Sequence, residues 1–169
     1  MPEYPKHLPS FSYVGCHRYF LTFCTHNRLP RFTDADTVQS VLSHFLRVGS
    51  EEAIEITAYC FMPDHLHMVV EGKADHSDLK RFISRSKQFS GYAYSQCHDT
   101  ARLWQRYGYE RVLRDDEPTQ MAVAYTLENP VRAGLAKEPR DYPFIGSSAF
   151  TVDQLLEYAF GRSAGNRAS

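Results

Sequence analysis

The stretch FMPDHLHMVVEG, residues 61 to 72, sets His65 and His67 one residue apart inside an apolar run. On an extended strand, side chains at i and i+2 share a face, with Cα atoms roughly 6.5 to 7 Å apart. Two imidazoles at that spacing can converge on one ion, and Leu66 between them points the other way, into a core. Taken alone, the pair also fits a solvated strand face or one hydrogen-bonded core histidine. It is also incomplete as a metal site. Mg²⁺ and Mn²⁺ take octahedral surroundings, and a catalytic zinc usually has three protein ligands. Asp64 alternates away from the pair if the strand includes it, so another element is expected to supply the third donor.

A second pair lies in AYTLENPVRAGL, where Tyr125 and Asn129 are spaced i, i+4. On a helix they stack on one side, with Val123 and Leu127 roughly opposite. A phenol beside a metal-bound phosphate can attack phosphorus, and a phosphotyrosine bond conserves the energy of the phosphodiester, so the cleavage is reversible. An ordinary phenol ionises only near roughly pH 10, so a metal or a base has to help remove its proton. Asn-Pro equally marks a plain helix boundary, with the asparagine capping a following turn.

From Leu79 to Arg114 the basic residues are Lys80, Arg81, Arg85, Lys87, Arg102, Arg106, Arg111 and Arg114, against only Asp99 and Glu110. The chain as a whole carries a formal charge of −1, so this segregation is local. Phe89, Tyr92, Tyr94, Trp104, Tyr107 and Tyr109 are interleaved, a mixture suited to phosphate contact plus base stacking. A charge run of this kind also fits a merely solvated face.

The elements that must position these groups follow from periodicity. Residues 1 to 15 carry three prolines without a period and are expected to form an extended lead-in. HRYFLTFCT (17 to 25) reads as a strand, and a helix then opens at Asp34 with Val38, Val41, Leu42, Phe45 and Leu46 at helical spacing, ending at Gly49. AIEITAYCFM alternates Ile54, Ile56 and Ala58 on one face, and HLHMVVEG follows across Pro63-Asp64 as the second arm of a hairpin. A second helix is predicted from about Ser77 to Tyr94, and a short strand over 109 to 114. A third helix follows with Pro118 near its start and Pro130 closing it. The order β-α-β-β-α-β-α predicts an α+β fold of the ferredoxin-like, split βαβ kind: an antiparallel sheet with helices on one face. TVDQLLEYAF, near the C-terminus, adds one amphipathic stretch before a Gly/Ser/Arg tail expected to be mobile.

At 169 residues and 43% hydrophobic content the chain can bury one sizeable core. Cys16, Cys24, Cys60 and Cys97 form no CxxC pair and no zinc pattern, which points to reduced, buried thiols. No stretch has signal-peptide form or the roughly 20 apolar residues of a membrane helix, so the expected compartment is the cytoplasm, with no membrane partner. No P-loop or dinucleotide-binding glycine pattern is present, so no nucleotide cofactor is expected.

YCFMPDHLHMVVEG, LWQRYGYERVLRDDE, YTLENPVRAGL and DYPFIGSS, in this order, resemble the successive motifs of REP-associated tyrosine transposases. These are single-tyrosine relatives of insertion-sequence transposases in the HUH nuclease superfamily. The resemblance spans about residues 15 to 150, and four motifs agreeing in order make it specific. It implies a transposase domain over residues 16 to 150, with the C-terminal helix and tail beyond. It implies that His65 and His67 ligate a divalent metal, Mg²⁺ or Mn²⁺, and that Tyr125 is the nucleophile. Asn129 stands where relatives carry a polar metal-side residue, often glutamine. The implied substrate is single-stranded DNA folded as REP-type hairpins, and from the basic aromatic stretch Lys80, Arg81, Arg85, Lys87, Arg106, Arg111 and Arg114 are the residues expected to hold it. Cleavage would leave a 5′-phosphotyrosine and a 3′-hydroxyl, and the protein would be a nucleoid-associated monomer or homodimer. Two other readings stay open from the sequence: a DNA-hairpin-binding protein of the same fold that does not cleave, and a small metal-dependent hydrolase that activates water.

Overall fold

The computed structural model describes residues 10–113 and 118–161. Its centre is a five-stranded antiparallel sheet in the order β4-β1-β3-β2-β5, built from β1 (Arg18–Cys24), β2 (Ile54–Met62), β3 (His65–Gly72), β4 (Tyr109–Leu113) and β5 (Ile145–Gly146). The first four strands, with α1 (Ala35–Glu51) and α2 (Leu79–Cys97) as crossovers, give the expected ferredoxin-like arrangement. Two further helices follow, α3 (Thr119–Arg132) and α4 (Val152–Phe160).

Strand alternation creates two cores. Tyr19, Leu21 and Phe23 of β1 and Leu66, Met68 and Val70 of β3 face α1 and α2, where Val38, Val41, Phe45, Leu79 and Phe82 are buried against them. Phe20 and Val69 face the other way and pack with Ala122, Val123 and Leu127 of α3 and Leu155 and Ala159 of α4. Helices therefore cover both faces, where the sequence reading placed them on one. The cause is that the outward side of these strands is itself apolar and has to be buried.

A bulge in β2 makes the second core possible. Register slips between Ile56, paired with Val70, and Ala58, paired with Val69, which leaves Thr57 as the extra residue. Simple alternation put Ile54, Ile56 and Ala58 on one face; instead Ile54 and Ile56 join the α1/α2 core, whereas Ala58, Cys60 and Met62 join the α3/α4 core. Ser148, from the DYPFIGSS motif, holds the irregular point. The Ile56 amide donates to Ser148 Oγ at 2.9 Å, and the Ser148 amide donates to the Ile56 carbonyl at 2.9 Å.

Local signals explain the helix ends. The Asp34 side chain caps α1 by accepting from Thr37 N at 2.8 Å, and Asp78 caps α2 by accepting from Arg81 N at 3.0 Å. Gly49 lies inside α1 instead of ending it. A Cβ there would meet the Ile54 carbonyl at 2.8 Å, so glycine lets β2 start close against the helix. Pro130 likewise sits within the last turn of α3, which runs on to Arg132. The lead-in is tied down where it is described: Tyr13 is buried, and the Leu79 amide donates to its carbonyl at 3.0 Å. Residues 1–9, the stretch 114–117 with Arg114, and the predicted tail at 162–169 lie outside the described residues. No helix among the described residues is long and apolar enough to cross a membrane.

Candidate active site

His65 opens β3 immediately after the two-residue turn Pro63-Asp64, where Met62 and His65 pair across the hairpin. His67 follows on the same face, directed toward α3. The two Nε2 atoms stand 3.1 Å apart. Each ring is steered by a contact at its other nitrogen: Asp64 Oδ1 lies 2.7 Å from His65 Nδ1, and Thr22 Oγ1 lies 2.8 Å from His67 Nδ1. Thr22 is the residue directly opposite His67 in the β1–β3 register.

Asp64 does not stand apart from the pair, as strand alternation implied; its turn position brings the carboxylate back onto His65. Burial opposes its ionisation, yet hydrogen bonds from His65 and from Arg28, whose Nε donates to Oδ2 at 2.9 Å, hold the carboxyl below the usual range. Arg28 reaches it from a left-handed backbone conformation, φ 55°. Thr25 fixes the turn by donating its hydroxyl to the Asp64 carbonyl at 3.0 Å.

These contacts determine the proton inventory. An ionised carboxylate only accepts, so His65 Nδ1 carries a proton toward Asp64, which leaves Nε2 as the nitrogen whose lone pair can face His67. His67 is 7% exposed, and burial, reinforced by repulsion from His65, Arg132 and Arg28, pushes its pKa down to about 3. It is neutral at pH 7. The Thr22 hydroxyl can donate or accept, so it serves either tautomer: Nε2–H of His67 donating to His65, or Nδ1–H with a second lone pair facing inward. In the second state the donor set fits a divalent ion. Two imidazole nitrogens bound cis at about 2.1 Å from one metal would stand ~3.0 Å apart, close to the observed spacing. Both outer nitrogens carry the orienting partners that ligating histidines need. Among the described residues no three His, Cys, Asp or Glu side chains are placed to hold one metal ion together, so water or an amide oxygen would fill the remaining positions.

Tyr125 comes to this site on α3. Val123 and Leu127 are fully buried against the sheet, which turns Tyr125, 44% exposed, along the helix edge facing β1 and β3. Its ring centroid lies 5.9 Å from that of His67 and 5.7 Å from that of Phe20, edge-on to both. Phe20, Thr22, His67, Arg111, Met121 and Tyr125 line a cleft of about 750 Å³. The histidines, the phenol and Arg111 are thus gathered by a single chain. Asn129 sits one turn beyond Tyr125, where its Nδ2 donates to the Tyr125 carbonyl at 3.3 Å, and it forms no hydrogen bond to either histidine.

The other described basic residues lie on α2 and the segment after it, across the sheet. Arg81 Nε and Arg85 Nη1 donate to Glu52 at 3.2 and 2.8 Å, and Arg85 also pairs with Glu51, so both tie α2 to α1. Lys87 is partly buried and donates to the Gln105 carbonyl at 2.9 Å. Lys80 lies over the Tyr13 ring and Arg106 over the Tyr107 ring, at 5.0 and 5.4 Å. The aromatic residues divide too. Trp104 and Tyr94 are core, with Trp104 Nε1 donating to Ser90 Oγ at 2.9 Å, whereas Tyr92 and Tyr107 are exposed.

Sequence does not single out Thr22, Arg28 or Arg132, and strand alternation sets Asp64 aside. Asp64 adjoins the histidines and could have been found from the turn; Thr22 needs the strand register, and Arg28 needs the tertiary fold.

Comparison with known proteins adds independent findings. Residues 13–126 match the family described as "Transposase IS200 like". A REP-associated tyrosine transposase of Escherichia coli K12 is 28% identical over 148 residues, spanning 85% of this chain and 81% of that protein. A Haemophilus influenzae protein, assigned provisionally to the same class, is 24% identical over 149 residues, with 82% of each chain covered. The solved structure of a REP-associated tyrosine transposase bound to a REP hairpin superposes with a TM-score of 0.68 at 22% identity, covering 86% of this chain and 82% of that one. That last likeness speaks for the fold.

Proposed function

The chain belongs to the family of IS200-like transposases, and on that premise we propose that it cleaves and rejoins single-stranded, REP-type hairpin DNA through Tyr125. One observation carries the reading: within a single chain, the Tyr125 ring lies 5.9 Å from the ring of His67, at the head of a cleft whose wall includes Arg111. The hairpin as substrate class rests on the relatives, one of which is a structure with a REP hairpin bound.

In this reading a phosphodiester enters the cleft with its phosphorus within reach of the phenol. The Tyr125 oxygen forms a bond to phosphorus, the bond to the 3′-oxygen of the preceding nucleotide breaks, and the phenol proton ends on that oxygen as a free 3′-hydroxyl. The phosphate stays on the 5′ end, joined to tyrosine. Attack by another 3′-hydroxyl reverses these steps and transfers the strand. Held by His65 and His67, with Asn129 or water completing its shell, Mg²⁺ or Mn²⁺ would supply Lewis-acid polarisation of the phosphate. Asp64 and Thr22 keep the two rings aimed inward throughout. Arg111, inside the cleft, suits a neighbouring phosphate, whereas Lys80 and Arg106 suit a more distant part of the nucleic acid. Because one chain carries every group, a monomer suffices.

Incubating the protein with labelled hairpin DNA and Mn²⁺ tests this. A covalent protein–DNA adduct that disappears in Tyr125→Phe is the expected result. No adduct with any divalent metal would leave a hairpin-binding protein that does not cleave, and turnover surviving Tyr125→Phe would leave a hydrolase.

A further inference from the structure

Arg132 lies two turns beyond Tyr125 on α3 and folds back over it. Its guanidinium carbon sits 4.2 Å from the centroid of the Tyr125 ring, and its Nη2 donates to the Tyr125 carbonyl at 2.9 Å. One side chain therefore grips both the ring and the backbone of one residue. We propose that Arg132 is a positioning residue for the reaction, holding the Tyr125 phenol in the orientation from which it attacks; this rests on the reading of Tyr125 as nucleophile.

A simpler role for a basic residue in the last turn is to satisfy the terminal carbonyls and complement the helix dipole. The geometry argues against that role. The carbonyls of the last turn are already served by backbone, since the Ala133, Leu135 and Gly134 amides donate to Asn129, Pro130 and Val131, and the carbonyl bonded by Arg132 lies earlier, at Tyr125. Helix capping also leaves the contact with the ring face unexplained.

The remaining contacts around Tyr125 explain why a clamp is needed. His67 and Phe20 meet the ring nearly perpendicular, at 71° and 77°, which bounds it on the side of the sheet. Those T-shaped contacts set a distance but restrict rotation weakly, and Tyr125 is otherwise 44% exposed. The planar guanidinium, stacked on the open side and anchored to the same residue's carbonyl, removes that freedom.

Arg132→Gln and Arg132→Lys test the assignment, each compared with the unaltered protein for melting temperature, hairpin affinity and single-turnover adduct formation at saturating DNA. The Arg132→Gln adduct rate is expected to fall on the order of 10- to 100-fold, the scale of a misplaced reacting group, with melting temperature and affinity little changed. Lysine keeps the charge but lacks the planar face, so it should restore little of the rate, whereas guanidinium ion at millimolar concentration should partly rescue Arg132→Ala. An unchanged adduct rate, or a loss confined to affinity, overturns the proposal. A second readout is independent of catalysis: 3-fluorotyrosine labelling, with the Tyr125 ¹⁹F resonance assigned from its absence in Tyr125→Phe. Arg132→Gln should shift or broaden that resonance; identical spectra overturn the proposal even if the protein forms no adduct at all, an outcome that would separately refute the role of Tyr125 as nucleophile.

Discussion

Thr22 and His67 face each other across the β1–β3 register, with the threonine hydroxyl 2.8 Å from the imidazole Nδ1. The contact lets a buried, neutral histidine exchange tautomers without losing its partner. Thr22→Val keeps the shape and removes the hydroxyl, leaving Nδ1 unpaired at a cost of about 1–3 kcal/mol in urea unfolding. Loss of an orienting partner should also weaken Mn²⁺ binding, followed by electron paramagnetic resonance, by about 10- to 100-fold. A variant that binds Mn²⁺ as tightly as the parent would show that Thr22 orients nothing.

The depressed pKa of His67 gives a pH dependence with a definite sign. In the unfolded chain this histidine titrates near ~6.5, whereas in the native protein it titrates at about 3. Above pH ~6.5 neither state is protonated there, and the site's contribution to stability is fully present. As pH falls below that value the unfolded chain binds a proton that the native protein refuses, so stability declines until about pH 3. The loss approaches about 1.4 kcal/mol per pH unit for one proton. Urea midpoints of metal-free protein between neutral and acid pH, compared with His67→Gln, isolate this from the carboxylates common to both. The variant should fall less steeply; parallel curves would contradict the assignment.

Thiol chemistry should sort the four cysteines by burial. Cys60 is buried in the α3/α4 core, and desolvation raises its thiol pKa to about 12. Cys16 and Cys97 are exposed and Cys24 is half-buried, where the sequence reading buried all four. Mildly alkaline labelling with a thiol reagent, mapped by mass spectrometry, should modify Cys16 and Cys97 promptly and Cys60 only as fast as the protein unfolds. Prompt labelling of Cys60 would mean that α3 and α4 leave the sheet readily.

Two aromatic residues from the same stretch should behave in opposite ways. Trp104, 5% exposed, packs against Phe23, Phe32 and Phe45, so Trp104→Ala should cost about 3–5 kcal/mol in thermal or urea unfolding. Tyr107, 69% exposed, should be replaceable by alanine within about 0.5 kcal/mol of stability. If Tyr107 stacks on a base, the same change weakens hairpin binding by about 1–3 kcal/mol in a filter or anisotropy titration. Unaltered affinity would remove this surface from the nucleic-acid path.

Much of this architecture is written in short-range pattern. The order of strands and helices, the Asp34 cap, the hairpin across Pro63-Asp64, the shared face of His65 and His67, and the outward edge carrying Tyr125 and Asn129 all follow from periods of two and 3.6 residues and from turn chemistry. Periodicity relates a side chain to its own element, and it suffices there except in β2, where the bulge moves Ala58 to the other face.

What lay beyond it depended on which element meets which. The bulge at Thr57 swung Ala58 and Cys60 to the other face, because a distant serine, Ser148, was available to satisfy the Ile56 backbone. Arg81 and Arg85, indistinguishable by sequence from phosphate-binding residues, found Glu51 and Glu52 at the end of α1. Trp104 found a core, Thr22 found His67 across the register, and Tyr125 came beside His67 only once α3 had docked on the side of the sheet opposite α1 and α2. The sequence alone determined which residues could do chemistry and which way each faced on its own strand or helix. Packing decided which of them meet, because burying two apolar sheet faces and pairing every charge between distant segments is a property of the whole chain that no local window contains.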